Sequence, residues 1–337
     1  MNARRARATV IYNDKDITRS LREYMSQITF TDHADGESDT VSIDISDPEG
    51  KWIDAWMPEK KDSIDVTINV SDWEKDGDSR KLRCGAFSVD QVSASGDSSS
   101  SVTLSIGAIS GPVQNGFRET ARSKTWKKTT LEQIGKRIAQ RYGMKLEYDA
   151  DTIRIKSQEQ SETSDSAFLS ELCSTYGLLM KAYRKKMVIY DRETYKKRAP
   201  VKTINLRYDV QNWSYADTLT RVYTGGELTY TDPSSGKEIK KKIGSGTNIL
   251  KISDSADSAA DAERKLRARV NGENHGKTQL SISMMGDVCI VAGVVIKVTG
   301  KGSKVDGSYF VDTVTHSVSA SGGYTVDLSC SKIREGL

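Results

Sequence analysis

The sequence has few of the residues from which metal, disulfide and catalytic sites are built. Its three histidines stand alone, since none has another histidine or a cysteine within four residues, and a zinc site has no support. The four cysteines are dispersed and never form Cys-x-x-Cys, which argues against a disulfide framework and favours buried free thiols. We therefore expect neither a metal nor another cofactor.

Long apolar runs, net charge and aromatic side chains are also scarce among the 337 residues. No run of about 18 apolar residues is present, and the basic N-terminus lacks the apolar core of a secretory signal, so the sequence predicts a cytoplasmic start and no membrane insertion. A net charge of +4 does not indicate a nucleic-acid coat protein. Aromatic residues make up 7%, which disfavours a carbohydrate-binding module, although Trp73 is a candidate contact for one.

Motifs that hold a phosphate or activate a serine are missing as well. The sequence has no Walker loop, no G-x-G-x-x-G after a strand and no G-x-S-x-G elbow. Glu159, Glu162 and Asp165 cluster at the start of a predicted helix, where a general acid–base pair is one interpretation. We favour the other interpretation, in which these carboxylates cap the helix and interact with its dipole. We therefore predict no catalytic residue.

Residues 1–112 show the alternation of apolar and polar residues that is typical of β-strands with one face on a core. Three segments carry it most clearly, with apolar residues at Val41, Ile43 and Ile45, at Ile64, Val66, Ile68 and Val70, and at Val102, Leu104 and Ile106. Gly111-Pro112 ends the segment and marks a domain boundary. The first predicted domain is therefore an antiparallel β-barrel over residues 1–112.

Residues 113–200 change to a pattern of helices followed by strands. One helix is predicted from Thr129, with Thr129 and Glu132 as a capping box and Gly143 at its end. A second begins at Ser164 and ends at Gly177, and the strand after it continues as a hairpin across residues 184–186. This pattern predicts a small α+β domain.

Residues 201–337 return to β-structure and form the third predicted domain, a second barrel. We expect a hairpin within residues 221–230, a lysine-rich loop at 231–248 and a helical insertion near 253–271 that ends at Gly272. The fold class is thus mainly β with α+β: two antiparallel β-barrels that flank a small α+β domain.

A repeated strand unit supports the two barrels. The unit occurs as GAFSVDQVSASG at residues 85–96 and as GSYFVDTVTHSVSASG at residues 307–322. Five positions match at identical offsets: Gly85, Phe87, Val89, Asp90 and Val92 in the first copy, and Gly307, Tyr309, Val311, Asp312 and Val314 in the second. Upstream, Ile68 and Val70 precede the first copy as Ile296 and Val298 precede the second. We expect the apolar members of both copies to pack inside their barrels.

Residues 158–183 resemble the motif Q-x-x-E-S-D-x-x-F-L-x-x-L-x-x-x-x-G of the late control protein D family. These proteins are the central baseplate hubs of contractile phage tails, related to the hub part of type VI secretion spike proteins and to the hubs of contractile bacteriocins. The motif positions are occupied by Gln160, Glu162, Asp165, Phe168, Leu169, Leu172 and Gly177, with Thr163-Ser164 where a lone serine is usual. Trp126, Thr130, Leu131 and Ile134 are similar to the first helix of the family, and Gly307, Tyr309, Val311, Val314 and His316 to its last strands.

The resemblance implies a structural protein rather than an enzyme. Family hubs are homotrimers in which each subunit contributes two tube-like β-barrels, so that six barrels match a hexameric tail tube on one side and a trimeric spike on the other. The implied partners are the tail tube protein, the spike protein, other baseplate proteins and the tape-measure protein, with DNA only in transit through a central channel. The implied location is the host cytoplasm during assembly and then the baseplate of the virion tail.

A tail-associated peptidoglycan hydrolase is the alternative function. It requires a convergent carboxylate pair or a Cys–His pair in a cleft. The candidate residues are Glu159, Glu162 and Cys173, which all lie within the segment that resembles the hub family.

Overall fold

The computed structural model of the chain describes residues 2–54, 56–60, 62–96, 102–111, 116–183, 185–218, 220–233, 235–320 and 323–334. The predicted boundary residue Pro112, the turn residue Arg184 and residues 321–322 of the second repeat lie outside these ranges.

Strands dominate the described part of the chain. The helices are α1 (Thr18–Leu21), α2 (Leu131–Arg141), α3 (Asp165–Thr175), α4 (Arg192–Lys196) and α5 (Ala259–Asn274). The strands that precede α2 are β1 (Arg5–Tyr12), β2 (Lys15–Asp16), β3 (Met25–His33), β4 (Thr40–Asp47), β5 (Ser63–Ser71), β6 (Ser79–Ser95), β7 (Val102–Ser110) and β8 (Ala121–Thr130). Those between α2 and α5 are β9 (Lys145–Asp149), β10 (Arg154–Ser164), β11 (Leu178–Tyr183), β12 (Lys186–Asp191), β13 (Lys202–Asn205), β14 (Val210–Asp217), β15 (Gly225–Thr231), β16 (Glu238–Gly244) and β17 (Ile249–Ser253). Those after α5 are β18 (Thr278–Met285), β19 (Val295–Thr299), β20 (Gly307–Ser319) and β21 (Gly323–Lys332).

One 13-stranded sheet joins the two ends of the chain, in the order β14-β18-β21-β20-β3-β4-β7-β6-β5-β1-β2, with β19 also paired to β20 and β13 to β19. The N-terminal half-sheet, β1 to β7, meets the C-terminal half-sheet, β13, β14 and β18 to β21, where β20 pairs with β3. The mainly β prediction is confirmed. The described strands form an open path without a closed barrel, so the two-barrel arrangement and the domain limits stay predictions.

The predicted alternation places one face of these strands in a core shared by both half-sheets. Along β4 and β5 every second residue is buried, as the sequence pattern predicts for strands with one apolar face. Phe87 and Val89 of the first repeat lie in the same buried cluster as Tyr309 and Val311 of the second. The two half-sheets therefore share one hydrophobic core.

Residues between the half-sheets form a smaller α+β unit with its own core. Strands β9, β11 and β12 make one sheet, β8 and β10 pair with each other, and the apolar faces of α2 and α3 pack together in a second buried cluster. Both helices and the hairpin of β11 and β12 are confirmed. The predicted capping box is wrong by one residue, because Thr130 caps α2 and exchanges hydrogen bonds with Gln133 rather than Thr129 with Glu132.

The hairpin expected within residues 221–230 is wrong. Gly225 and Gly226 lie inside β15, and the hairpin partner of β15 is β16, within the segment expected to be a lysine-rich loop. Both glycines are buried, and a Cβ atom on Gly226 would lie 2.7 Å from Leu266 of α5. Gly226 thus lets the helix approach the strand closely, whereas a Cβ atom on Gly225 would clash with Ile243 of β16 and Ile249 of β17. Neither glycine forms a turn.

The helical insertion is confirmed with shifted ends. Residues up to Ser253 belong to β17, which pairs in parallel with β15, and α5 begins at Ala259 with Ser258 as its N-cap. Gly272 lies inside α5, which continues to Asn274, and its φ is not positive as it would be at a glycine that ends a helix. The glycine with a positive φ, +73°, is Gly276, which follows the end of the helix.

We predict that Gly226→Ala lowers the free energy of unfolding by about 1–3 kcal/mol, because the added methyl group overpacks the contact with Leu266 and Val270. Urea unfolding measures the change. Gly272→Ala is the matched control: this exposed helical glycine has nothing within 4 Å of the added atom, so the substitution is expected to stabilise α5 by about 0.5–1 kcal/mol. Equal effects of the two substitutions would contradict the packing role.

Candidate assembly site

The repeated strand unit has the same irregular geometry in both copies. The pairing of β6 with β7 skips Asp90, and the pairing of β20 with β21 skips Asp312, so each strand has a β-bulge at the same repeat position. Gly85 and Gly307 both have positive φ, at +129° and +145°. Because bulges and positive φ values are specific local features, their agreement shows that the repeat extends to the backbone.

The likeness continues across the neighbouring strands. The pairing of β3 with β4 skips Ser26, and the pairing of β14 with β18 skips Gln211. The order β3-β4-β7-β6-β5 in one half-sheet therefore corresponds to β14-β18-β21-β20-β19 in the other. One difference remains: β1 is antiparallel to β5, whereas β13 is parallel to β19.

The observed register corrects the upstream part of the sequence repeat. Val66 pairs with Gly85, as Val298 pairs with Gly307, so the equivalents of Ile296 and Val298 are Ile64 and Val66 rather than Ile68 and Val70. All of these residues alternate in the same way, and alternation alone does not fix a register to better than two residues.

The two half-sheets meet at a regular antiparallel junction. Residues 313–319 of β20 pair with residues 27–33 of β3, with Thr315 opposite Thr31 and His316 opposite Phe30. The hydroxyl oxygens of Thr31 and Thr315 lie 3.3 Å apart, and the His316 ring stacks on Phe30 with 5.8 Å between centroids. Strand pairing and ring stacking thus hold the halves in one register.

His316 is fully buried at this junction. Its Nδ1 lies 2.7 Å from the hydroxyl oxygen of Tyr324, and its ring is stacked between Phe30 and Tyr324. Burial lowers the pKa of His316 to about 4, although Asp32 and Asp287 oppose the shift. The imidazole is therefore neutral at physiological pH and acts as a core side chain.

A buried charge cluster joins the α+β unit to the junction. Lys181 of β11 pairs with Asp32 of β3, and its Nζ lies 3.1 Å from Asp39 Oδ1. Burial raises the pKa of Asp39 to about 7 against the effect of Lys181, and Asp32 adds to the rise. Asp32 also accepts a hydrogen bond from the backbone N–H of Ala292, at 2.9 Å.

This cluster is not among the predictions from the sequence, although the sequence contains two signals of it. Asp32 takes the buried position of the alternating series Ile28, Phe30, Asp32, and Lys181 interrupts an apolar strand. A charge at a core position predicts a buried partner, but the identity of that partner depends on the tertiary fold.

The motif residues Gln160 and Asp165 form a second buried network. The Asp165 carboxylate accepts hydrogen bonds from Arg141, from the Tyr142 hydroxyl at 2.7 Å and from Gln160 Nε2 at 2.9 Å. Burial disfavours its charge, but these hydrogen bonds outweigh burial and hold the pKa of Asp165 below its usual value. Asp165 therefore connects β10 and α3 to the end of α2.

Capping, our sequence-based interpretation of Asp165, is wrong for its side chain. Ser164 is the N-cap of α3 and accepts the hydrogen bond from the backbone N–H of Ala167, at 3.2 Å. The Asp165 carboxylate is instead engaged by side chains of neighbouring elements, while the residue still supplies a negative charge in the first turn.

The other motif residues occupy several places and do not converge on one cleft. Four belong to the buried core of the α+β unit: Trp126, Leu131, Phe168 and Leu169. Tyr309 and Val311 are buried in the large sheet. Gly177, with φ of +73°, follows α3, and a Cβ there would lie 3.2 Å from Ala268 of α5. Glu162 is exposed on β10, and its backbone N–H donates to Ser123 Oγ at 3.1 Å.

The residues proposed for a hydrolase have unsuitable surroundings. Glu159 and Glu162 are exposed along β10. Cys173 is buried in a hydrophobic core, and burial raises the pKa of its thiol, whereas a nucleophilic cysteine needs a lowered one. Within the ranges the structure describes, no group of three or more metal-ligating side chains occurs and no helix is long and apolar enough to cross a membrane.

A family model described as YQBQ-like matches residues 117–331, which include the α+β unit and the C-terminal half-sheet. The chain belongs to the YQBQ-like family. The chain is also similar to a protein of Escherichia phage 186 that is named as a probable baseplate hub protein. The two are 21% identical, and the alignment covers 92% of this chain and 89% of the relative. The predicted resemblance to baseplate hub proteins is thus confirmed.

Solved structures of tail proteins share the fold of this YQBQ-like protein. The tail protein from Neisseria meningitidis MC58 is similar with a TM-score of 0.74 at 12% identity, and 97% of each chain is covered. An Escherichia coli component of the type VI secretion system, described as structurally similar to the phage T4 tail proteins gp27 and gp5, gives a TM-score of 0.59 at 12% identity and covers 93% of this chain and 75% of that one. At these identities the likeness concerns the fold.

We predict that the protein loses stability in acid partly through His316. Because its pKa is about 4 in the folded chain and 6.5 without burial, the unfolded chain binds more protons between these values. The neutral His316 therefore contributes ~3 kcal/mol to the free energy of unfolding above pH 6.5, and this contribution is lost as the pH falls towards 4. Urea unfolding at a series of pH values between 4 and 7 measures the free energy of unfolding. This free energy should fall less steeply with decreasing pH for His316→Gln than for the wild type. Equal pH dependence in the two proteins would disprove the role of His316.

We predict that Asp165→Asn lowers the free energy of unfolding by about 2–4 kcal/mol, because it removes the buried charge that Arg141 and Tyr142 bind. Chemical denaturation monitored by circular dichroism measures the loss. Glu159→Gln, on the exposed surface of β10, serves as the control and should change stability by less than about 0.5 kcal/mol. A loss at Asp165 no larger than that of the control would show that the network is dispensable.

Proposed function

We propose that this protein is the structural baseplate hub of a contractile phage tail or a tail-like particle. The relative from phage 186 is named as a probable baseplate hub protein, and the fold is shared with tail and type VI secretion proteins. The observation that carries the proposal is the duplicated half-sheet, with matching strand order and bulges at equivalent positions.

A duplicated half-sheet suits a subunit that connects parts of different symmetry. In the proposed assembly three copies form a ring, and the two half-sheets of each copy complete two tube-like barrels, so that the ring presents six similar units. Six units match a hexameric tail tube, while three copies match a trimeric spike. Closed rings of this kind use heterologous contacts, in which two different surfaces of the same chain meet.

The proposed partners follow from this position in the tail. The tail tube protein would bind on one side of the ring and the spike protein on the other, with the α+β unit outside in contact with other baseplate proteins. The tape-measure protein and DNA would pass through the central channel. Assembly would take place in the host cytoplasm, and the mature location would be the virion baseplate.

We predict that the purified protein has the mass of three chains in light scattering, and that a complex with its spike protein has the mass of three chains plus that of the bound spike. Electron micrographs of the same sample should show rings with an open centre and six similar peripheral units. The trimer follows from the need to present six half-sheets from a chain that contains two. A monomer in both samples would contradict the proposal.

A further inference from the structure

Besides the edge strands β2 and β13, two further strand edges of the large sheet have no strand partner within the described chain. β14 pairs with β18 along one edge, and its other edge is open at the end of the sheet. β6 pairs with β5 up to Ser88 and with β7 beyond Phe87, so its last residues are open on the side opposite β7. Unpaired backbone N–H and C=O groups along such edges are available to another strand.

The junction inside the chain indicates which strands these edges accept. The bulges at Ser26 and Gln211 make β14 the equivalent of β3, and those at Asp90 and Asp312 make β6 the equivalent of β20. Within the chain, β3 pairs with β20. The two open edges are therefore the remaining halves of the same kind of junction.

We propose that β14 of one copy pairs antiparallel with residues 91–96 of a second copy, which are the end of β6 and Gly96 after it, in the register of the β3–β20 junction. Transfer of that register places Val92 opposite Asp217, Ser93 opposite Ala216, and Ala94 opposite Tyr215. This inference rests on the proposed ring of identical subunits and names the surfaces that close it.

The composition of the two edges suits strand pairing. Charged residues and prolines protect exposed edges from association. Residues 91–96 contain neither, and β14 contains a single charged residue, Asp217, which forms an ion pair with Arg334. β16, another edge strand, instead carries Lys240, Lys241 and Lys242. The β14 edge and the end of β6 thus carry fewer charges than the edge strand β16.

The side chains of the two edges are complementary in size. In the transferred register, Ala94 of β6 lies opposite Tyr215 of β14, and Gly96, directly after β6, lies opposite Trp213. Both aromatic residues are half-buried in the single chain and pack against the shared core. Pairing would cover their rings with small residues and extend the core from one copy into the next.

The contact is heterologous, because each copy uses β14 towards one neighbour and β6 towards the other. Such a contact leaves an unpaired β14 edge at one end of a linear oligomer and an unpaired β6 edge at the other, whereas a closed ring pairs both. Closure after three copies would give a continuous sheet around the ring, in which junctions within and between chains alternate.

Cysteine cross-linking tests the register. The internal equivalents of Ser93 and Ala216 are Thr315 and Thr31, whose hydroxyls lie 3.3 Å apart, so Ser93→Cys with Ala216→Cys places two thiols within disulfide reach. The exposed Cys289 is replaced by serine in all variants, since the other native cysteines are buried. Oxidation of the full-length protein with copper–phenanthroline should give covalent dimers and trimers on a denaturing gel, with no larger species.

Two matched variants control the result. Thr31→Cys with Thr315→Cys should form its disulfide within one chain, which shows that the junction is folded and accessible to the oxidant. Gln91→Cys with Ala216→Cys is out of register by two residues, at a Cα separation of roughly 7–8 Å, and should remain uncross-linked.

The outcomes separate this inference from the proposed function. A trimer in light scattering without the Ser93–Ala216 cross-link would overturn the edge pairing and leave the hub proposal intact. Cross-linking of the out-of-register pair to the same extent would overturn the register. A monomer that forms no cross-link would overturn both the pairing and the ring.

Discussion

The antiparallel pairing of β20 with β3 is the contact on which the arrangement of the chain depends. Strands that lie close to opposite ends of the sequence satisfy each other's backbone hydrogen bonds, and the faces they share enclose one core. His316, neutral and stacked on Phe30, fits this core because burial suppresses its charge. Any surface built from both half-sheets depends on this junction.

Buried charge connects the α+β unit to the junction. Lys181 of β11 forms ion pairs with Asp32 and Asp39, and these pairs help to orient the unit on the sheet. Breaking them would leave uncompensated charges in the core. Within the unit, the Asp165 carboxylate similarly joins two helices and a strand. The second network gives the motif residues Gln160 and Asp165 a structural role.

The backbone irregularities of the repeat carry more information than its side chains. Alternating apolar residues fit many registers, whereas the bulges at Asp90 and Asp312 and those at Ser26 and Gln211 each fix one. They make the two half-sheets comparable residue by residue. They also identify β14 and β6 as the equivalents of β3 and β20, the two strands that meet inside the chain.

The sequence by itself determined the features that depend on neighbours in the chain: the buried alternation of β4 and β5, the ends of α2 and α3 near Gly143 and Gly177, and the shared offsets of the two repeats. It misplaced the hairpin at Gly225-Gly226, because glycines that leave room for neighbouring strands and a helix look the same in the sequence as glycines that form a turn. Only the tertiary structure decided that Lys181 meets Asp32 and that β20 joins β3, residues that lie far apart in the sequence. Many alternating strands could satisfy the same local pattern, and long-range pairing is selected by burial and complete backbone hydrogen bonding in the whole fold.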